Sequence, residues 1–78
     1  MLEGLISPEE LRLILTEIRE EISANGESSQ EKASLFHQLG SVYGLLGNQE
    51  KQKSAWQQAL QLDPGNITIK TSLKSLSV

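Results

Sequence analysis

The sequence predicts an all-α fold, on three observations. Apolar residues recur at three- and four-residue spacing, and no segment alternates polar and apolar residues over the length of a strand. β-branched residues are also sparse in the middle of the chain. Helix start and stop signals divide the chain into four predicted helices, at 8–24, 29–46, 49–62 and 67–76.

The first predicted helix begins at a strong start signal. Ser7 is a candidate N-cap, Pro8 suits the first helical position, and Glu10 stands three residues after the cap. Ile6 and Leu11 have the spacing of a hydrophobic staple. The helix then carries one apolar stripe and a stop signal: Leu11, Ile14, Leu15, Ile18 and Ile22, followed by Asn25-Gly26.

Capping and turn residues also predict the other three helices. Ser28 and Glu31 have the spacing of a capping box, so the second helix starts near residue 29. Gly47-Asn48 ends it, and Asp63-Pro64-Gly65 ends the third helix. Asn66 can cap a short fourth helix. Because only two or three residues join the second helix to the third, we expect these two helices to be antiparallel neighbours.

Composition and charge narrow the classes of function. The chain has 78 residues and a net charge of −3, with −5 over residues 1–32 and +2 over residues 33–78. Neither half is basic enough, and aromatic residues are too few, for a nucleic-acid interface. No apolar run approaches the roughly 20 residues of a membrane span. The N-terminus has no basic region before a long apolar stretch, so we expect no signal peptide and a cytoplasmic location.

Few residues of the chain could support catalysis or metal binding. The chain has no cysteine, and His37 is its single histidine, so a zinc-type ligand set is not expected. The paired glutamates Glu9-Glu10 and Glu20-Glu21 lie on the polar side of the first predicted helix, where solvent surrounds them. We therefore expect no enzyme, no cofactor and no metal site.

Three glycines fall within eight residues of the second predicted helix and its end. Glycine costs about 1 kcal/mol relative to alanine inside a helix, so each needs a reason. Gly40 lies mid-helix, where we expect it to admit the backbone of the facing helix. Gly47 stands where the chain reverses and a positive φ is useful. Gly44 has neither role, and we expect it to face a groove or a neighbouring helix.

Residues 33–66 resemble one tetratricopeptide repeat, and their length of 34 residues agrees with that family. Gln52 departs from the pattern, since the family usually has a small alanine there, facing the glycine of the first helix. Gln52 is expected either to loosen the helix crossing or to form a hydrogen bond at an edge. The matching positions are Ala33, Phe36, Leu39-Gly40, Tyr43, Gly47, Trp56, Ala59-Leu60 and Leu62-Asp63-Pro64.

The resemblance implies one helical domain over residues 1–78, of the α-α superhelix type, with a concave face lined by the first helix of the repeat. Its expected parts are an N-terminal helix (1–24), a linker (25–32), the repeat (33–66) and a C-terminal cap helix (67–78). It also implies a protein–protein interaction module, such as a small adaptor, an assembly factor or a subunit of a larger complex. The partner would be a peptide segment or a helix.

Five residues are candidate contacts, and the repeat pattern places all of them except Leu45 on the concave face. His37 can also be an ordinary surface histidine. The lysine, arginine and asparagine residues with which some tetratricopeptide proteins hold a peptide carboxylate are absent from these positions, so that type of binding is not expected. The candidates are Ser34, His37, Gln38, Ser41 and Leu45.

Apolar residues outside the helix stripes are a second sign of an interface. Trp56 and Tyr43 occupy core slots of the repeat, so we expect them to be buried rather than to act as binding anchors. Four leucines outnumber what one stripe per helix can hide, and exposed apolar residues that gather usually mark an interface. They are Leu2, Leu5, Leu45 and Leu46. Two alternatives to the adaptor stay open at this stage, a self-associating homodimer and a small regulatory inhibitor.

Overall fold

Four helices form the regular structure in a computed structural model that describes residues 7–24 and 28–76. No strand occurs in these ranges, so the predicted all-α class is confirmed. Each helix matches its predicted bounds to within one residue. The helices are α1 (Pro8–Ser23), α2 (Ser29–Leu45), α3 (Gln49–Leu62) and α4 (Ile67–Leu76).

Both predicted capping boxes are present. The Ser7 hydroxyl accepts a hydrogen bond from the Glu10 N–H at 3.2 Å, and the Glu10 carboxylate accepts one from the Ser7 N–H at 3.3 Å. Ser28 and Glu31 form the same pair of bonds at 3.2 and 2.9 Å. The N–H groups at the start of a helix have no carbonyl partner within it, and these reciprocal bonds supply acceptors for them. The bonds therefore fix where α1 and α2 begin.

Two predicted signals that flank α1 cannot be compared with the structure. The staple partner Ile6 and the stop signal Asn25-Gly26 lie outside the described residues. Residues 29–32, which the predicted domain division placed in a linker, are the first turn of α2.

No helix in the described ranges is both long enough and apolar enough to cross a membrane.

A tight turn with positive-φ glycine joins α2 to α3. Gly47 has φ of 83°, as its predicted role requires. The N–H of Asn48 donates to the carbonyl of Tyr43 at 2.9 Å, and the N–H of Gly47 donates to that of Gly44 at 3.0 Å. This pair of bonds is a Schellman motif. The Asn48 side chain then caps α3 by accepting from the N–H of Lys51 at 3.2 Å.

The predicted antiparallel pairing of α2 and α3 is confirmed by the order of their contacts. Ala33 near the start of α2 shares a buried cluster with Ala59 near the end of α3. Gly40, further along α2, lies against Trp56 and the backbone of Gln52, which come earlier on α3. The contacts therefore run in opposite directions along the two helices.

Two apolar clusters hold the four helices together, and α2 contributes to both. In the first, α1 packs against α2, with one residue of α3: Leu11, Ile18, Leu35, Leu39, Val42 and Ala55. In the second, α4 packs against α2 and α3 through Ala33, Ala59 and Ile69. α1, α3 and α4 therefore all contact α2. The sides of α2 that these helices leave open are the candidate binding surfaces.

Candidate functional site

Four of the five predicted contact residues lie together on one exposed side of α2. Ser34, Gln38, Ser41 and Leu45 are all exposed, and their spacing of four, three and four residues places them on one helical face. Leu45 is 68% exposed. We call these four residues the α2 stripe. Its chemistry is two hydroxyls, one carboxamide and one apolar side chain.

His37 is not part of this exposed surface. Its imidazole is half-buried, and its Nε2 shares a 2.8 Å hydrogen bond with the Oγ of Ser72 on α4. The ring also lies against Trp56, with 5.3 Å between ring centroids. The side chain therefore connects three helices, which differs from the surface histidine weighed at the sequence level. Burial lowers the pKa of His37 below its usual 6.5.

The backbone of His37 anchors the predicted core residue Trp56. The indole Nε1 of Trp56 donates to the carbonyl of His37 at 2.8 Å, and Trp56 is only 8% exposed. The Ser41 hydroxyl donates to the same carbonyl at 3.1 Å. Burial of the indole with its N–H satisfied is the arrangement expected of a structural tryptophan. Tyr43 is half-buried and packs against the first cluster.

Gly40 and Gly44 leave room for different parts of α3. A Cβ atom added at Gly40 would lie 2.5 Å from Trp56 Nε1 and 3.0 Å from the carbonyl oxygen of Gln52, so the two backbones approach closely there. A Cβ atom at Gly44 would lie 2.8 Å from Cδ of the Gln52 side chain. Gln52 is thus accommodated by the missing side chain of Gly44. The expectation for Gly44 was a groove or a neighbouring helix, and the sequence gives no signal that its neighbour is Gln52.

The exposed apolar residues differ in part from the predicted set. Leu45 is exposed as expected, whereas Leu46 is half-buried and packs against the first core cluster, so it is not available as surface. Leu2 and Leu5 lie outside the described residues. Two further apolar side chains are exposed, Leu13 at 62% and Ile67 at 76%. Leu13 falls on the side of α1 away from its apolar stripe, a signal that a helical wheel provides.

A second candidate site is a groove of about 430 Å³ between α1, α2 and α3. Its volume lies within the range typical of ligand-binding clefts. We call it the α1–α3 groove. It could not be predicted from the sequence, because three helices contribute residues to it and their apolar members each look like ordinary core. It is lined by Arg19, Ile22 and Ser23 of α1, by Phe36, Leu39 and Tyr43 of α2, and by Lys51, Ser54, Ala55 and Gln58 of α3.

Comparisons with known proteins identify no relative of this chain. Models of protein families, curated protein sequences and solved structures were all compared with the chain, and none gives a match. Within residues 7–24 and 28–76, no three histidine, aspartate or glutamate side chains are grouped so as to hold a metal ion.

Proposed function

We propose that this chain is a tetratricopeptide-like interaction module, without catalytic activity of its own, that docks a segment of a partner protein on the α2 stripe. The observation that carries the proposal is the position of the stripe. α1 and α3 cover two sides of α2 and His37 turns toward α4, yet Ser34, Gln38, Ser41 and Leu45 remain exposed together. An adaptor, an assembly factor and an inhibitory subunit would all use such docking, and each fits the expected cytoplasmic location.

The chemistry of the stripe suits an extended or helical peptide. Hydroxyl and carboxamide groups can pair with peptide N–H and C=O groups, and an exposed leucine offers an apolar contact. The close crossing at Gly40 and the buried Trp56 support the family resemblance, since both fill signature positions of the repeat. A rigid helix pair would present the stripe without a large ordering cost on binding.

Quantitative affinity capture tests the proposal. The full chain and a Gln38→Lys/Leu45→Lys variant are used to capture proteins from the cells that express the chain, and captured proteins are measured by mass spectrometry. Both substitutions keep good helix formers at exposed positions, so the fold should persist. We expect the variant to lose the main partner by about tenfold or more, since it adds two charges at the contact.

A matched control separates the stripe from general charge effects. Gln57→Lys/Gln61→Lys adds the same two charges at exposed positions of α3. It should capture the partner as the unaltered chain does. Equal capture by all three proteins would contradict the assignment of the stripe.

Self-association is a second candidate function that particular residues favour. Leu13, Leu45 and Ile67 are exposed at 62%, 68% and 76%. They lie on three different helices, and pairing of two copies would remove from water those that fall within the interface. Sedimentation over a wide concentration range distinguishes a dimer from a monomer that binds a different protein.

A further inference from the structure

The α1–α3 groove combines an apolar floor with positive charge on both walls. Phe36, Leu39 and Tyr43 of α2 lie between Arg19 on α1 and Lys51 on α3. The Nζ of Lys51 is 5.6 Å from the centroid of the Tyr43 ring, within the range of a cation–π contact. The ammonium group is thereby held beside the apolar floor.

The charge that lines the groove is opposite in sign to the net charge of the chain. The protein carries a net charge of −3, and its N-terminal part is its more acidic half. The ten residues that line the groove nevertheless include two cations and no carboxylate. Positive charge beside low-dielectric apolar surface attracts anionic groups from solution and disfavours cationic ones.

We propose that the α1–α3 groove binds an acidic segment of a partner protein that carries a large apolar side chain. The apolar side chain packs against Phe36, Leu39 and Tyr43. Carboxylates on either side of it pair with the guanidinium of Arg19 and the ammonium of Lys51. A groove of about 430 Å³ has room for an apolar side chain together with its flanking backbone.

This groove is a different surface from the α2 stripe. At about 100° per residue, Phe36, Leu39 and Tyr43 face away from Ser34 and Gln38 on the wheel of α2. The inference rests on the proposed function only in taking the ligand to be a peptide. Substitutions at the groove and at the stripe therefore test the two proposals separately.

Selection from a random twelve-residue peptide library, with the full chain as bait, tests the ligand chemistry. We expect the enriched peptides to carry aspartate or glutamate on both sides of leucine, phenylalanine or tryptophan. Titration of an enriched peptide then compares the unaltered chain with an Arg19→Glu/Lys51→Glu variant. Reversal of both charges should weaken binding about tenfold or more.

The matched control is Lys53→Glu/Lys70→Glu, which makes the same change in net charge at exposed positions outside the lining of the groove. It should bind within about twofold of the unaltered chain, since only screened long-range attraction is lost. Binding should also persist in Gln38→Lys/Leu45→Lys. If that stripe variant alone loses the peptide, the groove proposal fails while the stripe proposal survives.

Peptide-induced NMR shifts in the unaltered chain give a readout that does not depend on variants folding. Shifts should centre on Phe36, Leu39 and Tyr43. The proposal is overturned if the selection enriches no peptide, or only peptides without aspartate or glutamate. Equal losses of peptide affinity in the groove variant and the control variant would also overturn it, as would NMR shifts confined to the stripe. A dimer in sedimentation that Arg19→Glu/Lys51→Glu dissociates would identify a second copy as the occupant and would also overturn it.

Discussion

Gly40 and Gly44 stand one helical turn apart on α2 and both face α3, yet a methyl group at each would meet a different obstacle. At Gly40 the obstacles are the Trp56 ring and the backbone carbonyl of Gln52. Neither can move without shifting buried structure. At Gly44 the obstacle is the far end of the Gln52 side chain, which can rotate toward solvent.

Alanine at these two glycines should therefore have different effects on stability. Gly40→Ala should lower the free energy of unfolding by about 1–3 kcal/mol, and Gly40→Leu by more, because overpacking outweighs the gain in helix propensity. Gly44→Ala should leave stability unchanged or raise it by up to about 1 kcal/mol. Urea denaturation of each variant checks both values. Similar losses in both alanine variants would contradict the distinction between a rigid and a flexible obstacle.

His37 should make stability depend on pH. Because burial lowers the pKa of His37 in the folded state, the unfolded chain binds more protons below pH 6.5. The stability contributed by the neutral ring is complete above that pH and is lost as pH falls toward the folded-state pKa. Urea denaturation between pH 5 and 8 should show this fall in the unaltered chain, and His37→Gln should flatten it. A profile that the substitution leaves unchanged would place the titrating group elsewhere.

The lowered pKa of Glu31 acts at lower pH and does not interfere with this comparison. The Ser28 N–H and hydroxyl stabilise the Glu31 carboxylate, so that contribution is present above pH 4.5 and is lost as pH falls below it.

At the scale of elements, α4 docks through Ile69, its one buried side chain, with half-buried Leu73 packed beside it. Ile69 is 1% exposed and shares its cluster with Ala33 and Ala59, whereas Ile67, two residues earlier on α4, is 76% exposed. The hydrogen bond between Ser72 and His37 adds a polar contact to α2. Docking of α4 should therefore be sensitive to Ile69 and insensitive to Ile67.

Ile69→Ala should destabilise the protein by about 2–5 kcal/mol, the usual cost of emptying a buried isoleucine site. Ile67→Ala makes the same chemical change at an exposed position and should stay within about 0.5 kcal/mol of the unaltered chain. Thermal denaturation of the three proteins measures the difference. Equal midpoints for the two variants would mean that α4 is not packed as described.

The bounds of all four helices could be predicted because the signals that set them are local. Ser7, Ser28 and Asn66 cap helices through bonds to residues three positions later, and sequence spacing is enough to recognise such bonds. Contacts between distant residues have no such signal. The bond from His37 to Ser72 spans 35 positions, and nothing at either residue alone points to the other.

The candidate surfaces could be predicted only where helical periodicity decides exposure. Ser34, Gln38, Ser41 and Leu45 repeat at helical spacing, so their common face follows from the sequence. The α1–α3 groove depends instead on how closely α1 approaches α3 across α2, and packing of side chains sets that distance. The identity of Phe36 as a core residue was predictable, but its place in a groove was not.

At the scale of the whole molecule, two surfaces on opposite sides of α2 would let one small domain contact two partner segments. The stripe is uncharged and exposed, while the groove has an apolar floor flanked by two cations. The groove would therefore favour acidic segments, and the stripe would favour uncharged ones.

Site-specific photo-crosslinking in the cells that express the chain tests whether a partner docks on the α2 stripe. Benzoylphenylalanine is placed at Gln38 in the stripe, or at Gln57, an exposed position of α3 outside both surfaces. We predict that irradiation yields a covalent adduct with one recurrent partner protein from position 38 and little or none from position 57. No recurrent adduct at position 38, or equal yields at the two positions, would contradict docking on the α2 stripe.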